Sequence, residues 1–213
     1  MTDSPIGETQ GRIRKHYEWR ISPQRDNYDI LDWASEFSQQ KRFEVLTNNV
    51  DIEGARLLDV GSGLGDLLGY LRARGIVVDY TGVDITPKMV EQARRHQPTG
   101  TFVCGDIFGS QNPFKPGDFD VVFCSGTLNL NLGNNLQFMP HALATMFNLC
   151  RKSLVVNLLH HRCACDDDTY FYHNPLVVLS LAHKLDCTAK LLDDYLPNDF
   201  TVILNRPVDG PNR

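Results

Sequence analysis

Residues 55–65 read ARLLDVGSGLG, and the reading of this stretch decides the fold. ARLLDV is a short apolar run suited to a buried strand. It delivers Gly61, Gly63 and Gly65 onto a helical pattern, LGDLLGYLRARG (64–75), that ends near Gly75. Glycines let the chain turn sharply and let a ligand come close to the backbone. The helix start adds unpaired amide donors. A strand, a glycine turn and a helix in that order make a site where a cofactor can rest.

The turn does not fit every cofactor. A dinucleotide fingerprint, G-x-G-x-x-G, places its third glycine at position 66, and this chain has Asp66 there. A carboxylate facing a pyrophosphate is repelled. No G-K-[ST] follows, so a phosphate-cradling loop is also absent. The turn therefore suits a nucleoside without phosphates.

Outward from the turn, strands and helices alternate. VVDYTGVDI (77–85), TFVCGD (101–106) and FDVVFCSG (119–126) read as strands, as does SLVVNLLHH (153–161). TPKMVEQARRHQ (86–97) begins a helix with Thr86 as N-cap and Pro87 at the first helical position. MPHALATMFNLCR (139–151) and NPLVVLSLAHKL (174–185) read as helices, and AKLLDDY and DFTVILNR as two closing strands joined by LPN. Alternation of this kind gives a parallel sheet covered by helices on both faces, with ligands at the carboxyl ends of the strands.

Those strand ends carry acids. Asp59 ends the first strand. Asp84 ends the second, 19 residues after Gly65, where a carboxylate accepts from both hydroxyls of a ribose. It also stands where it can help start the helix at Thr86. Asp106 ends the third, placed to accept from an adenine amino group, with the Ile107 amide as donor to the ring and Ile85 as a packing surface.

The order D-x-G-x-G-x-G, GVDITPKMVEQAR (82–94), FVCGDIF (102–108) and FDVVFCSGTLNL (119–130) resembles class I S-adenosylmethionine-dependent methyltransferases over roughly residues 55–205. The resemblance implies an α/β three-layer sandwich with a mostly parallel seven-stranded sheet whose last strand is antiparallel. S-adenosyl-L-methionine would be the cofactor and S-adenosyl-L-homocysteine the product. Asp59 and Gly61 would lie near the methionine part, with Gly63 and Gly65 beside it. Asp84 would hold the ribose, and Asp106 and Ile107 the adenine. Ser125, Gly126 and Thr127 would flank the cofactor. After the fourth strand the chain has SGTLN and lacks N-P-P-Y or D-P-P-Y, which disfavours an amide or exocyclic base nitrogen as acceptor.

Methyl transfer from a sulfonium is an in-line displacement that depends chiefly on orientation. A base is needed only where the acceptor loses a proton. The candidates follow the fifth strand: His160 and His161, then Tyr170, Tyr172 and His173. On an alternating strand only one histidine of the pair faces a given side. HHRCACDDD holds metal-ligand types, but its C-x-C has no second pair at finger spacing, so no metal is expected.

Residues 1–50 form an N-terminal helical extension ahead of a catalytic domain at 51–213. YDILDWASEFSQQKRFEVLTNNV (28–50) predicts one or two helices. Tyr17, Arg20, Arg25 and Tyr28 are expected to act as a lid over cofactor or substrate, with arginine able to bind a carboxylate. Ile30, Trp33 and Phe37 follow the competing pattern of core helices.

The 213 residues are 42% hydrophobic and carry a formal net charge of −5, which suits one globular domain and gives no overall attraction to nucleic acid or an anionic membrane. No apolar run reaches membrane-spanning length, and MTDSPIGETQ has no apolar signal core. The expectation is a cytoplasmic enzyme with free cysteines and a small-molecule acceptor, oxygen before nitrogen. The other readings are an RNA or protein methyltransferase, a nicotinamide-dependent oxidoreductase and a non-catalytic cofactor-binding protein.

Overall fold

The computed structural model describes residues 5–22, 24–165 and 168–207. Three helices come first: α1 (Pro5–Glu18), α2 (Asn27–Ile30) and α3 (Glu36–Asn49). Ser35 starts α3 by accepting from the Ser38 amide at 3.1 Å while Ser38 Oγ takes the Ser35 amide, a reciprocal cap. Alternation follows: β1 (Arg56–Val60), α4 (Asp66–Ala73), β2 (Asp79–Asp84), α5 (Pro87–His96), β3 (Thr101–Cys104) and β4 (Phe119–Ser125). The chain continues through α6 (Asn135–Leu149), β5 (Cys150–Leu159), α7 (Pro175–Ala182), β6 (Thr188–Leu192) and β7 (Asp199–Asn205).

Among the described residues the strands form one seven-stranded sheet in the order β3-β2-β1-β4-β5-β7-β6. β1 pairs in parallel with β2 and β4, and β7 is antiparallel to both β5 and β6. Side chains alternate between the two faces with the strand period. Leu58, Val122, Val156 and Val202 enter one core with α6 and α7; Leu57, Val121, Val155 and Ile203 enter the other with α3, α4 and α5. The result is the expected three-layer sandwich with an antiparallel last strand.

Two differences from the sequence reading bear on the site. α6 begins at Asn135 rather than Met139. Pro140 lies inside the helix, past its first turn, and gives up the one N–H bond that would reach the carbonyl of Leu136, which is an exposed residue. Asn135 is buried and holds the preceding loop, donating to Leu130 O at 2.8 Å and accepting from Leu132 N at 2.9 Å. α1 lies within the expected helical extension but ahead of the 28–50 stretch whose spacing marks helices. Its few apolar positions are interrupted by Gly11, so the helical period is faint. No helix among the described residues is long and apolar enough to cross a membrane.

Candidate active site

The sheet order reverses between β1 and β4, one side leading to β2 and β3 and the other to β5. Carboxyl ends diverge at such a point and leave a crevice. A cavity of about 700 Å³ lies over it.

The glycine turn forms one wall. Gly61 and Ser62 donate their amides to Val83 O at 2.8 and 3.1 Å, and the Gly65 amide closes on Ser62 O at 2.9 Å. Gly63 adopts φ 52°, a left-handed conformation that favours glycine. A Cβ there would stand 2.5 Å from Leu31 Cδ2. Its amide donates to Asp84 Oδ2 at 3.0 Å, and the Thr86 amide donates to Asp84 Oδ1 at 2.8 Å. Asp84 thus ties the turn to the start of α5, and each oxygen keeps capacity for a further donor. Gly65 packs behind the turn against Phe102.

The wall is acidic. Burial lifts Asp59 from an ordinary 3.8 to about 7, a hydrogen bond from Tyr80 Oη at 2.7 Å opposes the rise, and the charges of Asp84 and Asp66 add to it. Burial raises Asp84 as well, against the amides of Thr86 and Gly63. A cation on this wall relieves these costs, and a pyrophosphate adds to them.

At the next strand end Asp106 accepts from the Phe108 amide at 2.8 Å and from Gln10 Nε2 at 2.9 Å. Ile85 and Ile107 line the cavity beside it. Beyond β4, Ser125 donates to Asn157 Oδ1 at 3.1 Å and Thr127 to Val60 O at 2.9 Å. Gly126, at φ 78°, lies under the Trp33 ring, whose Cη2 would be 2.4 Å from a Cβ.

The N-terminal helices bridge the cavity. Arg14 Nε donates to Ile85 O at 3.0 Å on one rim, and Arg12 donates to Leu132 O and Asn131 O at 3.1 and 3.0 Å on the other. Asp32 fastens the bridge from within. Its carboxylate meets His16 at 2.9 Å and Arg20 at 2.8 Å, and it accepts from Tyr170 Oη. Its φ is 62°, the one positive value among described non-glycine residues.

Residues 57–153 match a family model described as a methyltransferase domain. Over this stretch the chain is similar to the class I S-adenosylmethionine-dependent methyltransferases. A Mycobacterium tuberculosis protein described as a methyltransferase is 28% identical over 70% of this chain and 91% of its own. The demethylmenaquinone methyltransferase of Thermotoga maritima is 25% identical over 53% of this chain and 49% of its own. In fold, the chain is similar to the magnesium protoporphyrin IX methyltransferase of Synechocystis PCC 6803, solved with bound S-adenosylmethionine. That match has TM-score 0.66 and 17% identity, and covers 93% of this chain and 97% of the other.

The cavity suits S-adenosylmethionine by its chemistry. S-adenosylmethionine carries a sulfonium and an ammonium, and the wall at the glycine turn presents three carboxyl groups, Asp59, Asp66 and Asp84. Asp59, Gly61, Gly63, Asp84, Ile85, Asp106, Ile107, Ser125 and Gly126 all line one cavity, and Gly65 stands behind it.

The remaining sequence candidates divide. Tyr17 and Tyr172 line the cavity. Burial and the Asp32 charge push the Tyr17 phenol up, so it stays protonated. Tyr172 Oη lies 3.2 Å from Cys165 Sγ. Arg20 is engaged by Asp32, Arg25 stacks over Trp19 at 4.9 Å, and Tyr28 uses its carbonyl to hold the Trp33 amide at 2.8 Å. None of these three is on the cavity wall. Nor are His160 and His161. A 3-10 turn at His161–Cys163 redirects the chain, His160 Nδ1 accepts from the Arg162 amide at 3.0 Å, and His161 is exposed and stacked on it. Burial lowers His160, and lowers His173 to about 4, so His173 is a neutral donor to Leu128 O at 3.1 Å. Asp166 and Asp167 of the HHRCACDDD segment lie outside the described residues.

The sequence reading missed Gln10, Asp32, Arg42 and Asp199. Each acts through a partner distant in the chain, so no local pattern marks it. Trp33 was read as a core residue and lines the cavity instead.

Proposed function

We propose that this methyltransferase transfers the methyl group to a small organic acceptor, at oxygen first and nitrogen next. The observation that carries this reading is the roof. α1 joins both rims of the cavity, and Asp32 pins it through His16, Arg20 and Tyr170. A cavity bridged in this way favours a small acceptor over a strand of RNA or a protein loop. The wall away from the nucleoside end is aromatic, with Trp33, Tyr170 and Tyr172, which favours a planar or largely apolar acceptor. The name of the Thermotoga relative, a demethylmenaquinone methyltransferase, is in keeping with such an acceptor.

Asp84 is assigned to the ribose hydroxyls, Asp106 and the Ile107 amide to adenine, and the acidic wall at Asp59 to the cationic end. The cofactor supplies an activated methyl group. The protein supplies alignment and exclusion of water, and orientation is the larger part of that help. Of the base candidates named from the sequence, Tyr172 is the one on the cavity wall together with Tyr170; Tyr172 is assigned to orienting the acceptor.

The test is a methylation screen with radiolabelled S-adenosylmethionine against a small-metabolite extract, total RNA and a protein lysate. Label in an extractable small molecule supports the reading. Label confined to RNA or protein contradicts it.

A further inference from the structure

Asn129 lies four residues past the end of β4 and is 4% exposed. Three contacts clamp it. Its backbone amide donates to Gly126 O at 3.0 Å, its carbonyl accepts from the Phe171 amide at 2.7 Å, and its side-chain Oδ1 accepts from the Leu159 amide at 3.0 Å. A backbone N–H can only donate, so the side-chain atom that faces Leu159 is the oxygen, and Nδ2 points the other way. Nδ2 makes no hydrogen bond within the described residues and, unlike Trp33 Nε1, it is not sealed in. Asn129 lines the cavity together with Leu159, Tyr170 and Tyr172.

We infer that Asn129 is the specificity-determining residue of the acceptor half, and that its Nδ2 donates to the hydroxyl oxygen of an aromatic acceptor. The donor is fixed before anything binds, so little freedom is lost in using it. A ligand that brings a lone pair to Nδ2 satisfies it. A ligand that brings an N–H sets donor against donor and leaves both unpaired, which is how a polar site rejects a near-isostere. This gives a physical reason for oxygen before nitrogen.

Charge narrows the class further. Among the described residues lining the cavity, Arg42 is the one arginine or lysine, and its Nη2 is held by Asp199 Oδ2 at 2.6 Å. No cation is left over for an anionic group, so the oxygen is an uncharged one. Tyr170, Tyr172 and Trp33 supply aromatic surface for the ring that carries it.

Position assigns the donor to the acceptor. Asn129 follows β4 and holds the end of β5 through Leu159. Asp84 and Asp106, the nucleoside residues of the proposed function, lie across the switch point at the ends of β2 and β3. The inference rests on that reading of the cavity as cofactor site plus small-acceptor site.

The test is calorimetric titration of the wild type and Asn129→Leu. S-adenosylhomocysteine is titrated first, and it should bind both proteins alike. No binding to the wild type would be a failure of the cofactor reading, and the inference would fall with it. Weaker binding to Asn129→Leu alone would give the donor to the cofactor and overturn the inference while leaving the cofactor reading intact.

The loaded proteins are then titrated with 2-naphthol, 2-naphthylamine and naphthalene. The wild type should bind 2-naphthol about two- to tenfold better than the amine, the scale of one neutral hydrogen bond. Asn129→Leu should lose this preference. Leu159 also loses its acceptor in that variant, but a merely structural change weakens all three ring compounds together and leaves their ratio as it was. Equal binding of 2-naphthol and the amine by the wild type, or a preference that Asn129→Leu keeps, overturns the inference; the first comparison needs no variant to fold.

Discussion

Gln10 on α1 donates its side-chain amide to Asp106 at the end of β3, 2.9 Å away across 96 residues of sequence. The contact places an amide N–H where the proposed function puts the amino group of adenine. The N-terminal helix therefore serves as a roof and also rests on the same acceptor that the nucleoside is proposed to use.

Competition follows from that contact. Gln10→Ala frees Asp106 Oδ2 and is expected to tighten S-adenosylhomocysteine binding two- to tenfold, the scale of one hydrogen bond of about 0.5–1.5 kcal/mol. Calorimetry measures it. Unchanged or weaker binding would mean that adenine does not use this oxygen.

Asp84 anchors three things: the Gly63 amide, the Thr86 amide and, in the proposed function, the ribose. Asp84→Ala should weaken S-adenosylmethionine binding by roughly tenfold or more, since a hydrogen bond to a charged group is worth about 1.5–3 kcal/mol. Asp84→Asn, which keeps the size and one acceptor oxygen, should lie between. Equal affinities for all three proteins would remove the ribose from Asp84.

Asp59 gives the site a pH dependence with a definite sign. Its carboxyl holds its proton in the fold up to about 7, above the ordinary 3.8. That contribution to stability is full below the ordinary carboxylate range and is lost as pH rises through 7. The melting temperature of the free protein should therefore fall between about pH 4 and 7, and Asp59→Asn should flatten the fall. A cation favours the ionised carboxylate, so S-adenosylmethionine binding near pH 6.5 should release a proton. Calorimetry in buffers of different ionisation enthalpy reads that release, and proton uptake would show that Asp59 does not face the cationic end.

Gly126 holds the acceptor corner together. Gly126→Ala must place a Cβ at φ 78° and 2.4 Å from the Trp33 ring. The left-handed conformation alone costs roughly 1–2 kcal/mol, so the melting temperature should drop by several degrees in a chain of this size. Trp33 fluorescence should shift, read in a Trp19→Phe background because Trp19 is the other tryptophan. A spectrum like that of the parent would place Trp33 away from Gly126.

The part of this site that was legible in the sequence is local. β1, the glycine turn and the start of α4 lie in one short stretch, and the glycines, Asp84 and Asp106 each sit at a strand end that apolar runs mark out. The part that was not legible is long-range. Arg42 meets Asp199 and Gln10 meets Asp106 only when the sheet has closed, and nothing in the neighbouring residues announces either pair. The two histidines after β5 show the limit from the other direction: a strand-end position suggested access to the site, and the turn at His161–Cys163 together with the His160–His173 bridge directs them elsewhere.

The most direct test of the cofactor assignment is calorimetric titration of the purified chain with S-adenosylmethionine, S-adenosylhomocysteine and NAD. Saturable one-to-one binding of the first two, with no heat from NAD, is the predicted result. Binding of NAD with neither sulfur compound would contradict the account and return the glycine turn to the oxidoreductases.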